Sequence, residues 1–160
     1  MTRAAEAFRR TLAEIGVDER ELDAEALGRR GALLAAAELV WGRQVGRMLS
    51  SREVAELLGV SRQAVHERTQ RGSLLALRGA DGGMLYPAFQ FGSSGHPLAG
   101  IAEAVRALTP VVETPYTIAA WFTSSEPELE GLTPSDWLRD GRDPEAVIEQ
   151  ARREAARLAR

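Results

Sequence analysis

Apolar residues recur at helical spacing through the first fifty residues. Residues 4–15 have the pattern of a helix that ends at Gly16. Asp18, with Glu21 three residues later, has the spacing of a capping box for a second helix. Residues 32–49 predict a longer helix with these side chains on one broad face: Leu33, Leu34, Ala37, Trp41, Val45 and Met48. A long apolar helix is hard to bury in one small body, so we expect residues 1–49 to be helical and to mediate dimerisation.

Residues 50–72 have the pattern of two short helices joined by a tight turn. Ser50 and Glu53 form a capping box. The first helix has an apolar face made of Val54, Ala55, Leu57 and Leu58. Gly59 suits a left-handed turn residue and Val60 a core position, and Ser61 caps a second helix that ends at Gly72. With Ala64 and Val65 facing inward, this pattern predicts a helix-turn-helix.

Two short apolar runs follow, at residues 74–78 and 84–87, around a turn that contains Asp81-Gly82. This arrangement predicts a β-hairpin, which after a recognition helix would be a wing. Residues 89–91 should pack the wing against the body. We therefore expect a winged helix-turn-helix DNA-binding domain at residues 50–91 and a linker at residues 92–97, where Gly, Ser and Pro concentrate.

Residues 98–160 again have helical patterns. Thr114-Pro115, Thr133-Pro134 and Asp143-Pro144 each resemble a helix start, with proline at the first helical position. The apolar positions that support these helices are Leu98, Ile101, Val105, Leu108, Val147, Ala151, Ala155 and Leu158. The predicted fold class is mainly α: a helix-turn-helix with a small β-hairpin wing, followed by a small helical C-terminal domain.

Composition narrows the possible chemistry. The 160 residues include no cysteine, lysine or asparagine, and the formal net charge is −3. Disulfides, thiolate nucleophiles, Cys-ligated zinc, Schiff-base lysines and the P-loop lysine are therefore excluded. The N-terminus carries charge where a signal peptide would be apolar, and Glu38 interrupts the most apolar stretch. We expect a cytoplasmic protein with no membrane association.

The second helix of the pair offers polar side chains that suit base edges. Its outward positions are Arg62, Gln63, His66, Glu67 and Gln70. Arg62 suits guanine and Gln63 suits adenine, while Ser61 at the helix N-terminus suits a phosphate. Arg68, Arg71 and the wing residue Arg78 are placed for the DNA backbone. An ordinary helical hairpin is the alternative, favoured by the near-neutral charge and by Glu67; a dimer would double the phosphate contacts.

The sequence indicates no catalytic or metal chemistry. His66 and His96 are far apart and have no cysteine partners, which argues against a metal site. No Ser/His/Asp set is recognisable, and the glycines of residues 79–83 lack the spacing of a nucleotide loop. A solvated face explains the acids of residues 126–140. We therefore expect a protein that is not an enzyme and uses no cofactor.

Two segments resemble known families. Residues 51–78 resemble the MerR/excisionase style of winged helix-turn-helix. The C-terminal block resembles the C-terminal domain of Xre/MbcA/ParS-type antitoxins, with Phe122 after the tryptophan and Leu132 inserted in the turn motif. The residues that carry this second resemblance are Ala119, Ala120, Trp121, Pro127, Leu129, Gly131, Thr133, Pro134, Leu138, Gly141 and Val147. Antitoxins of this family more often carry a helical Xre-like DNA-binding domain.

The resemblance implies an antitoxin of a type II pair. Such proteins bind a RES-domain toxin that consumes NAD, and they repress their own operon through double-stranded operator DNA. By this analogy residues 119–160 would hold the toxin-binding surface, with Trp121, Trp137, Arg139 and Arg142 as candidate contacts. Two alternatives stay open: a stand-alone dimeric regulator whose C-terminal part senses a ligand or dimerises, and an adaptor that uses the hairpin as a protein interface.

Overall fold

Side-chain caps and prolines set most helix starts. The computed structural model describes residues 3–14, 16, 23, 25, 42–79 and 81–160. Its helices are α1 (Arg3–Glu14), α2 (Ser51–Leu58), α3 (Arg62–Gln70), α4 (Ile101–Leu108), α5 (Pro115–Phe122), α6 (Pro134–Arg139) and α7 (Pro144–Leu158). Ser50, Ser61, Thr114, Thr133 and Asp143 each cap a helix with their side chains. The predicted Ser50–Glu53 capping box is present in full.

The strands form a three-stranded antiparallel sheet in the order β1-β3-β2. They are β1 (Met48–Ser50), β2 (Leu77–Arg78) and β3 (Met84–Pro87), and β2 and β3 are the predicted hairpin. The prediction of helix through residue 49 is wrong. Gly46 has a left-handed φ of 84°, which ends the helical residues 42–45 and lets β1 pair with β3. The mainly α fold class with a small hairpin is confirmed.

Two apolar cores lie on opposite sides of the extended segment 74–77. Leu74 and Ala76 pack into the core shared with α2 and α3, whereas Leu75 and Leu77 pack into the core formed by the C-terminal helices. This alternation is the two-residue period of an extended chain. Phe89 and Phe91 divide in the same way between the two cores. The winged segment and the C-terminal helices therefore share their interior.

The chain divides into two compact units, residues 1–39 and 40–160. The predicted linker at 92–97 lies inside the second unit. It is a hydrogen-bonded turn: the Gly92 N–H donates to the His96 carbonyl at 2.8 Å, and the Leu98 N–H donates to the Gln90 carbonyl at 2.8 Å. Leu75, Leu77 and Phe89, which precede this turn, belong to the same core as the helices that follow it.

Several apolar positions differ from the sequence prediction or fall outside the described residues. Leu57 and Leu158 were predicted to face inward, but 43% and 40% of their surfaces are exposed. Leu57 lies against Gly95, and Leu158 lies at the end of α7, beyond the apolar residues that cover the rest of that helix. The proposed Asp18 cap with Glu21, and most of the predicted 32–49 helix, lie outside the described residues.

Candidate nucleic-acid interface

Helix α3 is anchored on one side by buried contacts. Val65 is fully buried, and Ala64 is half-buried, as predicted for inward positions. The Ala64 N–H donates to Ser61 Oγ at 3.1 Å. Thr69 Oγ1 lies 3.1 Å from Tyr86 Oη and joins the last turn of α3 to β3. These contacts fix the helix relative to the wing.

The opposite side of α3 is polar and exposed. Gln63, His66, Glu67 and Gln70 are exposed there, and Arg62 is exposed at the first turn of the helix. Spacings of three, four and seven residues place these four side chains on one face of the helix. Amide, imidazole and carboxylate groups of this kind can form hydrogen bonds with base edges in a major groove.

Hydrogen bonds between neighbouring turns order this face. Gln63 Nε2 donates to Glu67 Oε1 at 3.4 Å, and His66 Nε2 lies 3.0 Å from Gln70 Nε2. Glu67 also pairs with Arg71, whose Nη2 lies 3.5 Å from Glu67 Oε2. The negative charge of Glu67 is thus matched by a neighbouring guanidinium, which weakens the objection that an acid on this face repels DNA.

The arginines that were predicted to contact the DNA backbone lie at the ends of the candidate interface. Arg71 and Arg78 are exposed, and Arg68 is half-buried. Arg78 Nη1 donates to the Gly82 carbonyl at 3.2 Å, so its side chain lies across the wing turn. In that turn, Asp81 Oδ1 accepts the Gly83 N–H at 2.9 Å.

Sequence reasoning missed two residues that hold the wing. The Tyr116 hydroxyl donates to the Arg78 carbonyl at 2.9 Å and connects α5 to β2. The buried Gln90 side chain accepts the Leu75 N–H at 2.9 Å, and it donates to the Leu75 and Pro87 carbonyls at 2.9 and 3.0 Å. The sequence signal for Gln90 was its position between two phenylalanines. Tyr116 had no local signal in the sequence, because its hydrogen-bond partner lies 38 positions away.

The candidate toxin contacts differ in how far they are exposed at the surface. Trp121 is 8% exposed and packs in the C-terminal core, edge-on to Phe122 with ring centroids 5.0 Å apart. It therefore contributes little to the surface. Trp137 is half-buried and donates its Nε1 hydrogen to the Asp143 carbonyl at 2.9 Å.

Trp137 and Arg142 form a surface cluster with Glu130. The Arg142 guanidinium lies 4.6 Å from the Trp137 ring centroid, a cation–π distance, and its Nη1 is 2.7 Å from Glu130 Oε2. Glu130 has a left-handed φ of 58°, unusual for a residue with a side chain. The nearby Arg139 is exposed and pairs with Asp136 at 2.6 Å.

Two further properties concern the described residues only. No helix among them is long and apolar enough to cross a membrane. Within the same ranges, no three His, Asp or Glu side chains come together in a group able to hold a metal ion.

Comparisons with known proteins give a fold but no family. No protein-family model matches the sequence, and no curated protein is significantly similar to it. A solved structure described as "NMR structure of Rv2175c" is similar to this chain, with a TM-score of 0.51 and 24% identity. The similarity covers 70% of this chain and 78% of that one.

Proposed function

We propose that this protein is a cytoplasmic, sequence-specific double-stranded-DNA-binding regulator that acts as a homodimer. The observation that carries the proposal is the exposed polar face of α3, opposite the buried Val65 and beside a wing with exposed Arg78. In this proposal α3 enters the major groove and Arg78 contacts a phosphate.

The side chains of α3 suit different bases. Arg62 suits guanine, Gln63 suits adenine, and Glu67 accepts from the amino group of cytosine. Hydrogen bonds from Gln63 to Glu67 and between His66 and Gln70 restrict these four side chains before DNA arrives, which lowers the entropy lost on binding. Ser61 and the first N–H groups of α3 add a phosphate contact at the helix N-terminus.

Selection of binding sites from random DNA, followed by titration of the selected site at several salt concentrations, tests the proposal. Replacing Arg62 and Gln63 by alanine should lower the affinity for the selected site by about 1–3 kcal/mol for each lost base contact and should flatten sequence preference. Arg78→Ala should weaken all sequences about equally and lower the salt slope by about 1.

Arg153→Ala is the matched control, because this exposed arginine lies on α7 and pairs with Glu149 there. It should leave both affinity and salt slope unchanged. The proposal fails if the purified full chain selects no DNA at low salt. It also fails if the Arg62/Gln63 double variant keeps the sequence preference of the parent.

Neutralisation of a partner toxin, of the RES-domain class, is a second candidate function. The Trp137–Arg142–Glu130 cluster favours it, because tryptophan and arginine are common energetic centres of protein interfaces. In this candidate function the same protein would repress its own operon through α3 and bind the toxin through the surface of residues 98–160.

Co-purification of the full chain with the products of its neighbouring genes, through a high-salt wash, tests this second function. A stoichiometric partner that Arg139→Glu or Arg142→Glu releases, and that Arg153→Glu retains, would support it. Point variants are needed because deletion of residues 98–160 would remove most of one core. A homo-oligomer with no partner would favour a stand-alone regulator.

A further inference from the structure

A cleft of about 450 Å³ lies between the end of α3, the wing and the C-terminal helices. Its walls include Thr69 and Gln70 from α3, Met84 from β3, and Val105 and Ile118 from α4 and α5. The volume is in the range of small-molecule sites in proteins. Every wall belongs to the unit of residues 40–160, and residues of both of its cores line the cleft.

The lining is mostly apolar. The hydroxyls of Thr69 and Thr109 donate to carbonyls in their own helices, of Val65 at 3.0 Å and Val105 at 2.7 Å. These hydroxyl hydrogens are therefore already used in hydrogen bonds within the protein. An apolar lining of this kind selects a ligand by its hydrophobic surface.

Glu113 gives the cleft its charge. Of the described residues that line the cleft, it is the only ionisable one, and it forms no ion pair within the described part of the chain. The nearby Arg106 has its stem against Gly72, but its guanidinium is 3.6 Å from the carboxylate of Glu103. An exposed carboxylate at the rim favours a positively charged ligand over an anion.

Contacts from the cleft reach the DNA-binding face by two routes. Thr69 and Gln70 belong to α3 itself, and Thr69 is joined to Tyr86 of β3 at 3.1 Å. Pro115 and Ile118 line the cleft from α5, whose Tyr116 donates to the Arg78 carbonyl at 2.9 Å. A ligand that displaces α5 or the end of α3 therefore changes the spacing between the recognition helix and the wing.

We propose that this cleft binds a small hydrophobic cation, such as an organic amine, and that the bound ligand lowers DNA affinity by shifting the wing relative to α3. The coupling to DNA rests on the proposed function, whereas the binding site does not. The chemistry follows from apolar walls with one carboxylate at the rim.

Tetraphenylphosphonium and tetraphenylborate are suitable probes, because the two ions have nearly the same shape and opposite charge. Titrated into the full chain and followed by amide NMR, the phosphonium should bind saturably and shift Thr69, Gln70 and residues 112–114. Glu113→Gln should weaken its binding about 2- to 5-fold, the range expected for an exposed ion pair. Glu128→Gln, an exposed acid outside the cleft, is the matched control and should change nothing.

Other results of the titration would overturn either the binding site or its preference for a cation. No saturable shift at the lining residues overturns the site. Equal binding of the borate, or no effect of Glu113→Gln, overturns the preference for a cation.

The coupling between ligand binding and DNA affinity is tested with Tyr116→Phe, which removes the hydrogen bond from α5 to the wing. In the parent, saturating phosphonium should also shift amides of Arg62 and Gln63 and lower DNA affinity about fivefold or more. Tyr116→Phe should retain the binding and reduce both effects. If DNA binding is intact and the phosphonium leaves it unchanged, the coupling is wrong. If the chain binds no DNA at all, the proposed function fails, and the NMR titration still decides the site.

Discussion

At the scale of single residues, Gln90 joins three backbone groups through one buried side chain. It is fully buried, and it satisfies the Leu75 N–H and the Leu75 and Pro87 carbonyls. Gln90→Leu fits by volume but leaves these backbone groups without partners. Because an unsatisfied buried group costs about 1–3 kcal/mol, we expect the free energy of unfolding in urea to fall by about 3–5 kcal/mol.

Gln44→Leu provides the comparison, since Gln44 is exposed. Substitutions at such positions change stability by about 0.5 kcal/mol or less. Similar losses for the two variants would contradict the role given to Gln90.

The capping box of α2 should make stability depend on acidity. The Ser50 N–H and hydroxyl hydrogen-bond to the Glu53 carboxylate and hold its pKa below the ordinary value of 4.5. A carboxylate with a lowered folded pKa stabilises the fold above its unfolded pKa, and that stability is lost as pH falls through the folded value. Glu53→Gln should therefore be less stable than the parent at pH 7, and the difference should shrink as pH falls below 4.5 and through the lower folded pKa of Glu53. Urea unfolding across this range measures it.

Glu126 provides a control of opposite sign. Burial raises its pKa above the ordinary 4.5, against the hydrogen bond from Gln150. Its ionisation therefore disfavours the fold as pH rises through the unfolded value. Glu126→Gln should gain stability relative to the parent at neutral pH and lose that gain in acid. If both variants show the same pH trend, the assignment of Glu53 is wrong.

At the scale of elements, Gly72 lies just after α3 and close to the Arg106 side chain of α4. This residue has a φ of 68°, and a Cβ there would lie 2.8 Å from Cγ of Arg106. Gly72→Ala therefore combines left-handed strain of about 1–2 kcal/mol with a steric clash. In an Arg106→Ala background the clash is absent, so the same substitution should cost only the strain. Unfolding of the four proteins in a double-mutant cycle measures the difference.

Gly59→Ala is the matched control for strain alone, because Gly59 also has a left-handed φ, of 64°, but no atom within 4 Å of the added Cβ. Its cost should be the same with and without Arg106. A coupling energy of zero between Gly72→Ala and Arg106→Ala would show that the Arg106 stem moves away freely.

Local signals in the sequence predicted where helices begin and end better than they predicted how the helices and strands pack together. The cap at Ser50, the glycine at 59 and the Thr-Pro and Asp-Pro helix starts are all where the sequence predicts them, because each depends on neighbouring residues. The strand at 48–50 was missed because it forms only by pairing with β3, far along the chain. For the same reason Tyr116 and the cleft left no local pattern, whereas the exposed face of α3 did.

At the scale of the whole molecule, residues 40–160 fold around a core that the winged segment shares with the C-terminal helices. A Gly/Ser-rich stretch at 92–97 predicts a linker, but Leu75, Leu77 and Phe89 precede it and pack into the core formed by helices that follow it. Because residues 74–77 alternate between the two cores, this extended segment contributes side chains to both of them. The winged segment and the C-terminal helices should therefore unfold together.

A chain that ends at residue 97 is the direct test of this shared interior. It would expose the large apolar side chains of Leu75, Leu77 and Phe89, each of which contributes about 1.5–3 kcal/mol when buried, and that loss is comparable to the whole stability of a small domain. We expect this truncated chain to lack dispersed amide NMR signals, and the full chain to show one transition for residues 42–160 when α2 and α7 are followed separately. Native-like shifts for α2 and α3 in the truncated chain would mean that the winged segment folds alone. In that case the cleft, whose walls come from both sides of residue 97, would lie between two independently folding parts, and Tyr116 would link them through its hydrogen bond to the Arg78 carbonyl.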